Sequence, residues 1–209
     1  MADRHPRTTA KDVALIALFA AFICVLGLTP RIALPFLPTP FTIQTLGVLL
    51  AGGVLGAHRG AWATALFLVL VAVGLPVLPG GVGGIGMLAG PTAGFLWTYP
   101  AGAWVTGMLV ERWWRKLSWL RGFVAAVAGS VAVYPLGHAW IAVTTGMSAT
   151  TASWSWVVYL PGDLIKSALA ASVIVTMKRA YPLLDPPPAP TAPASRNEPR
   201  PAGGAKAAP

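Results

Sequence analysis

The chain has 209 residues, of which 56% are hydrophobic and only 10% are charged, and its mean hydropathy is +0.67. This composition excludes a soluble globular domain and indicates a membrane protein. The net charge of +9 does not indicate nucleic-acid binding, because the basic residues flank the apolar segments.

Six apolar segments follow one another along the chain, most of them near the roughly 20 residues that a helix needs to cross a bilayer. A helix satisfies its own backbone hydrogen bonds in lipid, so these segments predict an all-α integral membrane protein. The first segment follows basic residues as in a signal peptide, but no convincing cleavage site follows it, and we interpret it as a span. Its Cys24 is the only cysteine, which excludes disulfides. We predict a compact bundle of six transmembrane helices at about 12–28, 42–57, 60–75, 92–110, 121–145 and 161–178.

The Lys and Arg residues near the ends of these segments predict the orientation of the bundle. With the N-terminus inside, the inner segments hold ten of them and the outer loops hold only Arg31. The ten are Arg4, Arg7, Lys11, Arg59, Arg112, Arg115, Lys116, Arg121, Lys178 and Arg179. Both termini are therefore expected in the cytoplasm, with outer loops at 29–41, 76–91 and 146–160.

Three regions follow from this topology. Residues 1–11 are a cytoplasmic N-terminal segment, and residues 12–180 are the membrane domain. Residues 181–209 are rich in proline and alanine and nearly free of large apolar side chains, which predicts a disordered cytoplasmic tail.

Two opposite charges interrupt the last apolar segment, in YLPGDLIKSALAASVIVTM (159–177). Asp163 and Lys166 are three residues apart, which places them on one face of a helix. Pro161 suits a first helical position, and the positive end of the helix dipole favours an ionised Asp163 there. Charges inside a membrane segment are costly, so we interpret the pair as a functional site; a structural ion pair at a helix end is the alternative.

Further polar and aromatic residues are expected at the same depth, which favours an outward-facing pocket. Thr42, Gln44 and Thr45 open the second segment, Thr92 opens the fourth after Gly90, and His138 lies in the fifth. The glycine-rich loop permits close backbone approach to a ligand. Tyr99, Trp97 and Trp140 form either an aromatic wall or ordinary packing, and His138 is interpreted as a core histidine.

Motifs for other chemistries are missing: there is no Walker motif, HExxH, CxxC or GxSxG. We therefore predict that the protein binds a ligand without catalysing a reaction and that it has no cofactor and no metal. The energy for its function is expected to come from another protein. A small-residue stripe of Ala10, Ala14, Ala17 and Ala21 in the first segment permits close approach of a partner helix. A proton-coupled carrier using Asp163 and His138 and a membrane enzyme using Asp163 are the rival interpretations.

Three regions together resemble the signature regions of the BioY family. They are PTPFTIQTLGVLLAG (38–52), GLPVLPGGVGGIGMLAGPTAGFLWTYP (74–100) and YLPGDLIKSALA (159–170). The resemblance implies a six-helix substrate-binding subunit, the S component of an energy-coupling factor (ECF) transporter, in the bacterial plasma membrane. Such a subunit captures biotin at the outer face and works with a transmembrane coupling (T) component and two cytoplasmic ABC ATPases that hydrolyse ATP.

The resemblance also suggests roles for individual residues. Ala17 and Ala21 are similar to the family's AxxxA surface for the coupling protein, in line with the stripe that starts at Ala10. Asp163 can accept the urea N–H groups of biotin, and Lys166 or Gln44 can donate to the urea carbonyl. Lys166 or Arg31 could instead pair with the carboxylate. A solitary or proton-coupled carrier for biotin or another vitamin stays the alternative, as does an S component for thiamine or riboflavin.

Overall fold

The computed structural model describes residues 9–30 and 42–180, and these residues form a bundle of six α-helices. The all-α prediction is confirmed, and each predicted segment overlaps mainly with one helix. The helices are α1 (Ala10–Gly27), α2 (Gln44–Leu55), α3 (Ala57–Val73), α4 (Ala93–Arg112), α5 (Trp119–Thr145) and α6 (Ala149–Ala180). The predicted terminal regions at 1–8 and 181–209, and most of the first outer loop, lie outside the described residues.

The helix ends follow the local sequence. Thr9 caps α1 in a reciprocal capping box with Asp12, and the Ser118 side chain accepts a hydrogen bond from the backbone of α5. Helices α3 and α5 end at Gly74 and Gly146, which have φ angles of 106° and 70°. Glycine adopts this left-handed conformation without steric cost, so both residues end their helices cleanly.

Length and composition distinguish three of the six helices. Within the described ranges, three stretches are long and apolar enough to cross a membrane: Ala10–Gly27, Trp119–Thr145 and Val157–Ala180. Helices α2 and α3 are apolar but shorter, with 12 and 17 residues.

The start of α6 corrects the sequence prediction. Residues 149–160, expected in an outer loop, are helical, and Pro161 lies inside a helix of 32 residues. A proline removes one intrahelical hydrogen bond, and membrane helices tolerate it when neighbours satisfy the freed groups. Asp163 therefore lies in the helix interior, and the predicted support from the helix dipole is wrong, because that effect is confined to the first turn.

Helix α2 lies at the centre of the bundle and packs against all five other helices, while α4 packs against α2, α3 and α5, and α6 packs against α5 and α2. Glycines allow these helices to touch through their backbones. A Cβ atom on Gly52 of α2 would lie 2.0 Å from the carbonyl oxygen of Ala103, and one on Gly107 of α4 would lie 2.3 Å from the nitrogen of Ala57. Side chains are excluded at both points, which explains the small residues there.

Polar contacts tie the helices together at one end of the bundle. Arg59 of α3 pairs with Asp12 of α1 at 2.9 Å, and the Glu111 carboxylate of α4 accepts the N–H of Ala57 at 2.9 Å. This end also carries most of the described Lys and Arg residues, and we call it the basic end.

Candidate functional site

A cavity of about 330 Å³ opens at the end of the bundle opposite the basic end. This volume falls in the range of about 300–1,000 Å³ that is typical of small-molecule sites. Its walls come from α2, α4, α5, α6 and the glycine-rich loop (residues 76–91), and they are mostly apolar. The apolar lining residues are Val48, Leu49, Leu78, Pro79, Val82, Met87, Pro91, Phe95, Leu96 and Val133.

The buried charge pair forms part of the cavity wall. Lys166 Nζ lies 2.5 Å from Asp163 Oδ1, and the two side chains are only 7% and 12% exposed. Lys166 also donates to Thr45 Oγ1 at 2.6 Å and to the Thr42 carbonyl at 3.3 Å. The ammonium group thus joins α6 to the start of α2, and the pair presents an acceptor and a donor side by side.

Gln44 lines the cavity but directs its amide nitrogen at the protein. The Gln44 Nε2 atom donates to the carbonyls of Ile23 at 3.4 Å and Val77 at 3.1 Å, and the residue is only 1% exposed. It therefore connects α1, α2 and the start of the glycine-rich loop. Contact between Gln44 and a ligand stays a prediction.

The structure brings most of the other predicted site residues to the same cavity. Thr42, Thr92 and Tyr99 line it. Gly90 is not among the lining residues that the structure describes, although its carbonyl accepts a hydrogen bond from Trp140 Nε1 at 2.9 Å. Arg31 lies outside the described residues.

The predicted partner surface lies away from the cavity. Ala10, Ala14, Ala17 and Ala21 are all exposed on α1. This exposure is compatible with a partner helix, and the coupling role stays a prediction.

His138 packs in the bundle and does not line the cavity among the described residues. Its Nδ1 atom lies 2.9 Å from the Tyr134 carbonyl oxygen, and its ring packs against Phe95 with 5.2 Å between centroids. This matches the interpretation as a core histidine, although its Nε2 atom has no hydrogen-bond partner among the residues described.

Two indole groups hold the end of the glycine-rich loop. Trp97 Nε1 donates to the Leu88 carbonyl at 3.0 Å, and Trp140 Nε1 donates to the Gly90 carbonyl. The two rings stack with 6.0 Å between their centroids. They therefore fix the loop that closes one side of the cavity, and Tyr99 is the predicted aromatic residue that faces the cavity itself.

Sequence reasoning missed several lining residues, among them Tyr159, Ser130 and Tyr134. The helical period contains the signal for Tyr159, which lies four residues before Asp163 and so shares its face. That signal was hidden because the helix was predicted to begin at 161. Ser130 and Tyr134 are likewise four residues apart on α5, but one serine in an apolar segment gives no indication of a site.

Comparisons with known proteins agree closely with one another. The sequence model of the BioY family matches residues 2–183. "Biotin transporter BioY" of Rhizobium etli is 45% identical over 182 residues, which cover 84% of this chain and 97% of that protein. "Probable biotin transporter BioY" of Bacillus subtilis is 40% identical over 175 residues, which cover 83% of this chain and 94% of that protein.

A solved structure has the same fold. It is the crystal structure of the S-component for biotin from an ECF-type ABC transporter, with a TM-score of 0.76 and 29% sequence identity. The match covers 83% of this chain and 94% of the solved chain. The overlap therefore extends over nearly the whole of both bundles.

Proposed function

The chain belongs to the BioY family, and we propose that this integral membrane protein takes up biotin as the substrate-binding (S) subunit of an ECF transporter. The observation that carries the proposal is the buried pair of Asp163 and Lys166 in the wall of an apolar cavity. The biotin transporters among its relatives supply the identity of the ligand.

The chemistry of biotin fits the pair. Its cyclic urea offers two N–H donors and one carbonyl acceptor, and it is attached to an apolar bicycle. Asp163 is an acceptor for the N–H groups, and Lys166 is a donor for the carbonyl. Hydrogen bonds to charged groups are shorter and stronger than neutral ones, so the pair distinguishes a urea from an apolar ring of the same shape.

The remaining lining suits the rest of the molecule. Leu96, Val133 and Phe95 provide apolar walls for the bicycle, and Tyr99 and Thr92 add hydroxyl groups at the edge. The carboxylate chain lies toward the cavity mouth in this proposal, with Arg31 or Lys166 as its partner.

The transport step needs partners. With ten inner Lys and Arg residues against one outer, the positive-inside rule supports six crossings with both termini in the cytoplasm of a bacterial cell. In this proposal the cavity faces outward, and a T component and two ABC ATPases supply the energy for release. The exposed alanine stripe of α1 from Ala10 to Ala21 is the proposed contact with the T component.

Binding to the purified protein tests the ligand. We expect saturable biotin binding in detergent that excess thiamine or riboflavin does not displace, and we expect Asp163→Asn to weaken it at least tenfold. Asp12→Asn is the matched control, since it makes the same change in the ion pair with Arg59 at the basic end. A folded wild-type protein without biotin affinity would remove biotin as the ligand, and equal losses in the two variants would remove Asp163 from the site.

Uptake by cells tests the coupling. Depletion of the ATPases is expected to abolish biotin accumulation, whereas an uncoupler at constant ATP leaves it unchanged. Uptake that survives depletion of the ATPases but is abolished by the uncoupler would indicate a proton-coupled carrier.

A further inference from the structure

Ser130 on α5 is one of the residues that line the cavity, and its Oγ atom is buried against the protein, so a bond to a ligand requires rotation of the side chain about χ1. It is only 9% exposed, and its Oγ has no hydrogen-bond partner among the residues that the structure describes. Other hydroxyl groups in these helices bond to carbonyls of their own helix, as Thr106 does to Gly102 at 3.0 Å and Ser172 does to Ala168 at 3.0 Å. A buried polar group without a partner is costly, so the hydroxyl of Ser130 is a candidate for a bond to a ligand.

The backbone around Ser130 is held firmly against α4. On one side, a Cβ atom on Gly129 would lie 1.9 Å from Thr106 Oγ1, so the two helices touch directly. On the other side, Thr98 Oγ1 donates to the carbonyl of Val133 at 3.2 Å. Ser130 therefore lies on a rigid element, which is the arrangement that a precise binding contact requires.

Neighbouring contacts place Ser130 deeper in the bundle than the charge pair. The adjacent Gly129 packs beside the Leu49 side chain, whereas Lys166 bonds to Thr45, one helical turn earlier on α2. Four residues of α-helix span about 6 Å. A ligand held by the charge pair therefore meets Ser130 with a different part of its ring system.

We propose that Ser130 is a ligand-binding residue whose hydroxyl forms a neutral hydrogen bond with a polar atom of the ligand's ring system, on the floor of the cavity below Asp163 and Lys166. The inference rests on the proposed function. Lys166 is the one cation among the described lining residues, so the floor suits an uncharged polar atom better than a carboxylate. Ser130 then adds to specificity, because a ligand without such an atom leaves the hydroxyl unpaired.

Helix α6 offers a matched control for this residue. Ser167 is also buried, at 0% exposed, and its Oγ likewise has no partner in the described part of the chain, but it is not among the described residues that line the cavity. Replacing either serine with alanine removes the same group from a similar environment. Only one of the two changes is expected to affect the ligand.

The test compares biotin affinity and thermal unfolding for Ser130→Ala, Ser167→Ala and the wild type in detergent. We expect Ser130→Ala to raise the Kd about two- to tenfold, the range for one net hydrogen bond, and Ser167→Ala to leave it unchanged. Without biotin, both variants should melt at or above the wild-type temperature, since each loses an unsatisfied hydroxyl. Ser130→Cys, which retains a weak donor of similar size, is expected to give an intermediate Kd and serves if the alanine variant does not fold.

The outcomes separate this inference from the proposed function. If the wild type binds biotin and both alanine variants bind it equally well, Ser130 is not a ligand contact and the proposed function stands. If both variants lose affinity together with thermal stability, the role of Ser130 is structural and the inference is wrong. If the wild type does not bind biotin, both proposals fail.

Discussion

Neutralising one member of the buried pair leaves the other charge without its partner, and the structure predicts that the two single variants differ. Asp163→Asn leaves the Lys166 ammonium with two other acceptors, Thr45 Oγ1 and the Thr42 carbonyl. Lys166→Met removes all three of these contacts and leaves the Asp163 carboxylate buried without its ion-pair partner. We therefore expect Lys166→Met to be the more destabilising change.

The size of the effect follows from burial. With side chains 7% and 12% exposed, the pair is in the class where loss of one partner costs about 3–5 kcal/mol. For a chain of this length, 1 kcal/mol shifts the melting temperature by about 2–4 °C, so the single variants are expected to melt roughly 6–20 °C lower. The decrease in melting temperature should be near the small end of this range for Asp163→Asn and near the large end for Lys166→Met.

The double variant gives the decisive measurement. With Asp163→Asn and Lys166→Met combined, neither charge of the pair remains. The loss of unfolding free energy should then be smaller than the sum of the losses in the two single variants by about 2–3 kcal/mol. Thermal unfolding of ligand-free protein in detergent measures all three variants. Asp12→Asn, in the more exposed pair at the basic end, should lower the melting temperature less than either single variant of the buried pair. Single losses that simply add in the double variant would refute the coupling of the two charges.

Two further predictions concern the loop and the helix contacts. Replacing both Trp97 and Trp140 with phenylalanine retains two aromatic rings but removes both hydrogen bonds to the loop, so biotin should dissociate severalfold faster than from the wild type. Trp62→Phe, at an indole that is 66% exposed, is the control. If the double variant releases biotin at the same rate as this control, the two hydrogen bonds have no role in holding the ligand. Gly52→Ala should sharply reduce the yield of folded protein, because its Cβ would lie 2.0 Å from a carbonyl oxygen of α4. Gly86→Ala is the control and should be tolerated, since nothing lies within 4 Å of a Cβ atom at that residue. Size-exclusion chromatography compares the folded fraction of the two variants. A normal profile for Gly52→Ala would show that α2 and α4 can move apart.

The helical class and the approximate position of each helix could be predicted because both depend on local composition. Long apolar segments between basic residues identify helices in a membrane protein without any tertiary information. The start of α6 could not be predicted in the same way. Pro161 is a common first residue of a helix, and only the surrounding bundle determines that the helix continues through it.

The site could be predicted where a residue is unusual for its surroundings. Two charges in an apolar segment indicated Asp163 and Lys166, and the structure places both in the cavity wall. Ser130 gave no such signal, because serine is common in membrane helices, and the signal for Tyr159 lay only in its helical spacing from Asp163. Their importance depends on which side of the helix faces the cavity, and that is set by contacts such as the one between Gly129 and Thr106.

A structural ion pair and a binding site are often treated as alternatives, but the position of this pair makes them compatible. Between α6 and the start of α2, Lys166 joins two helices, and Asp163 compensates its charge. Both groups also line the cavity, so a ligand with donors and acceptors of its own can share these hydrogen bonds. The ion pair itself thus reduces the cost of burying two charges. The interior of α6 gives the Asp163 carboxylate no help from a helix terminus, so its charge is compensated by Lys166, and Thr45 and Thr42 keep that ammonium group in place.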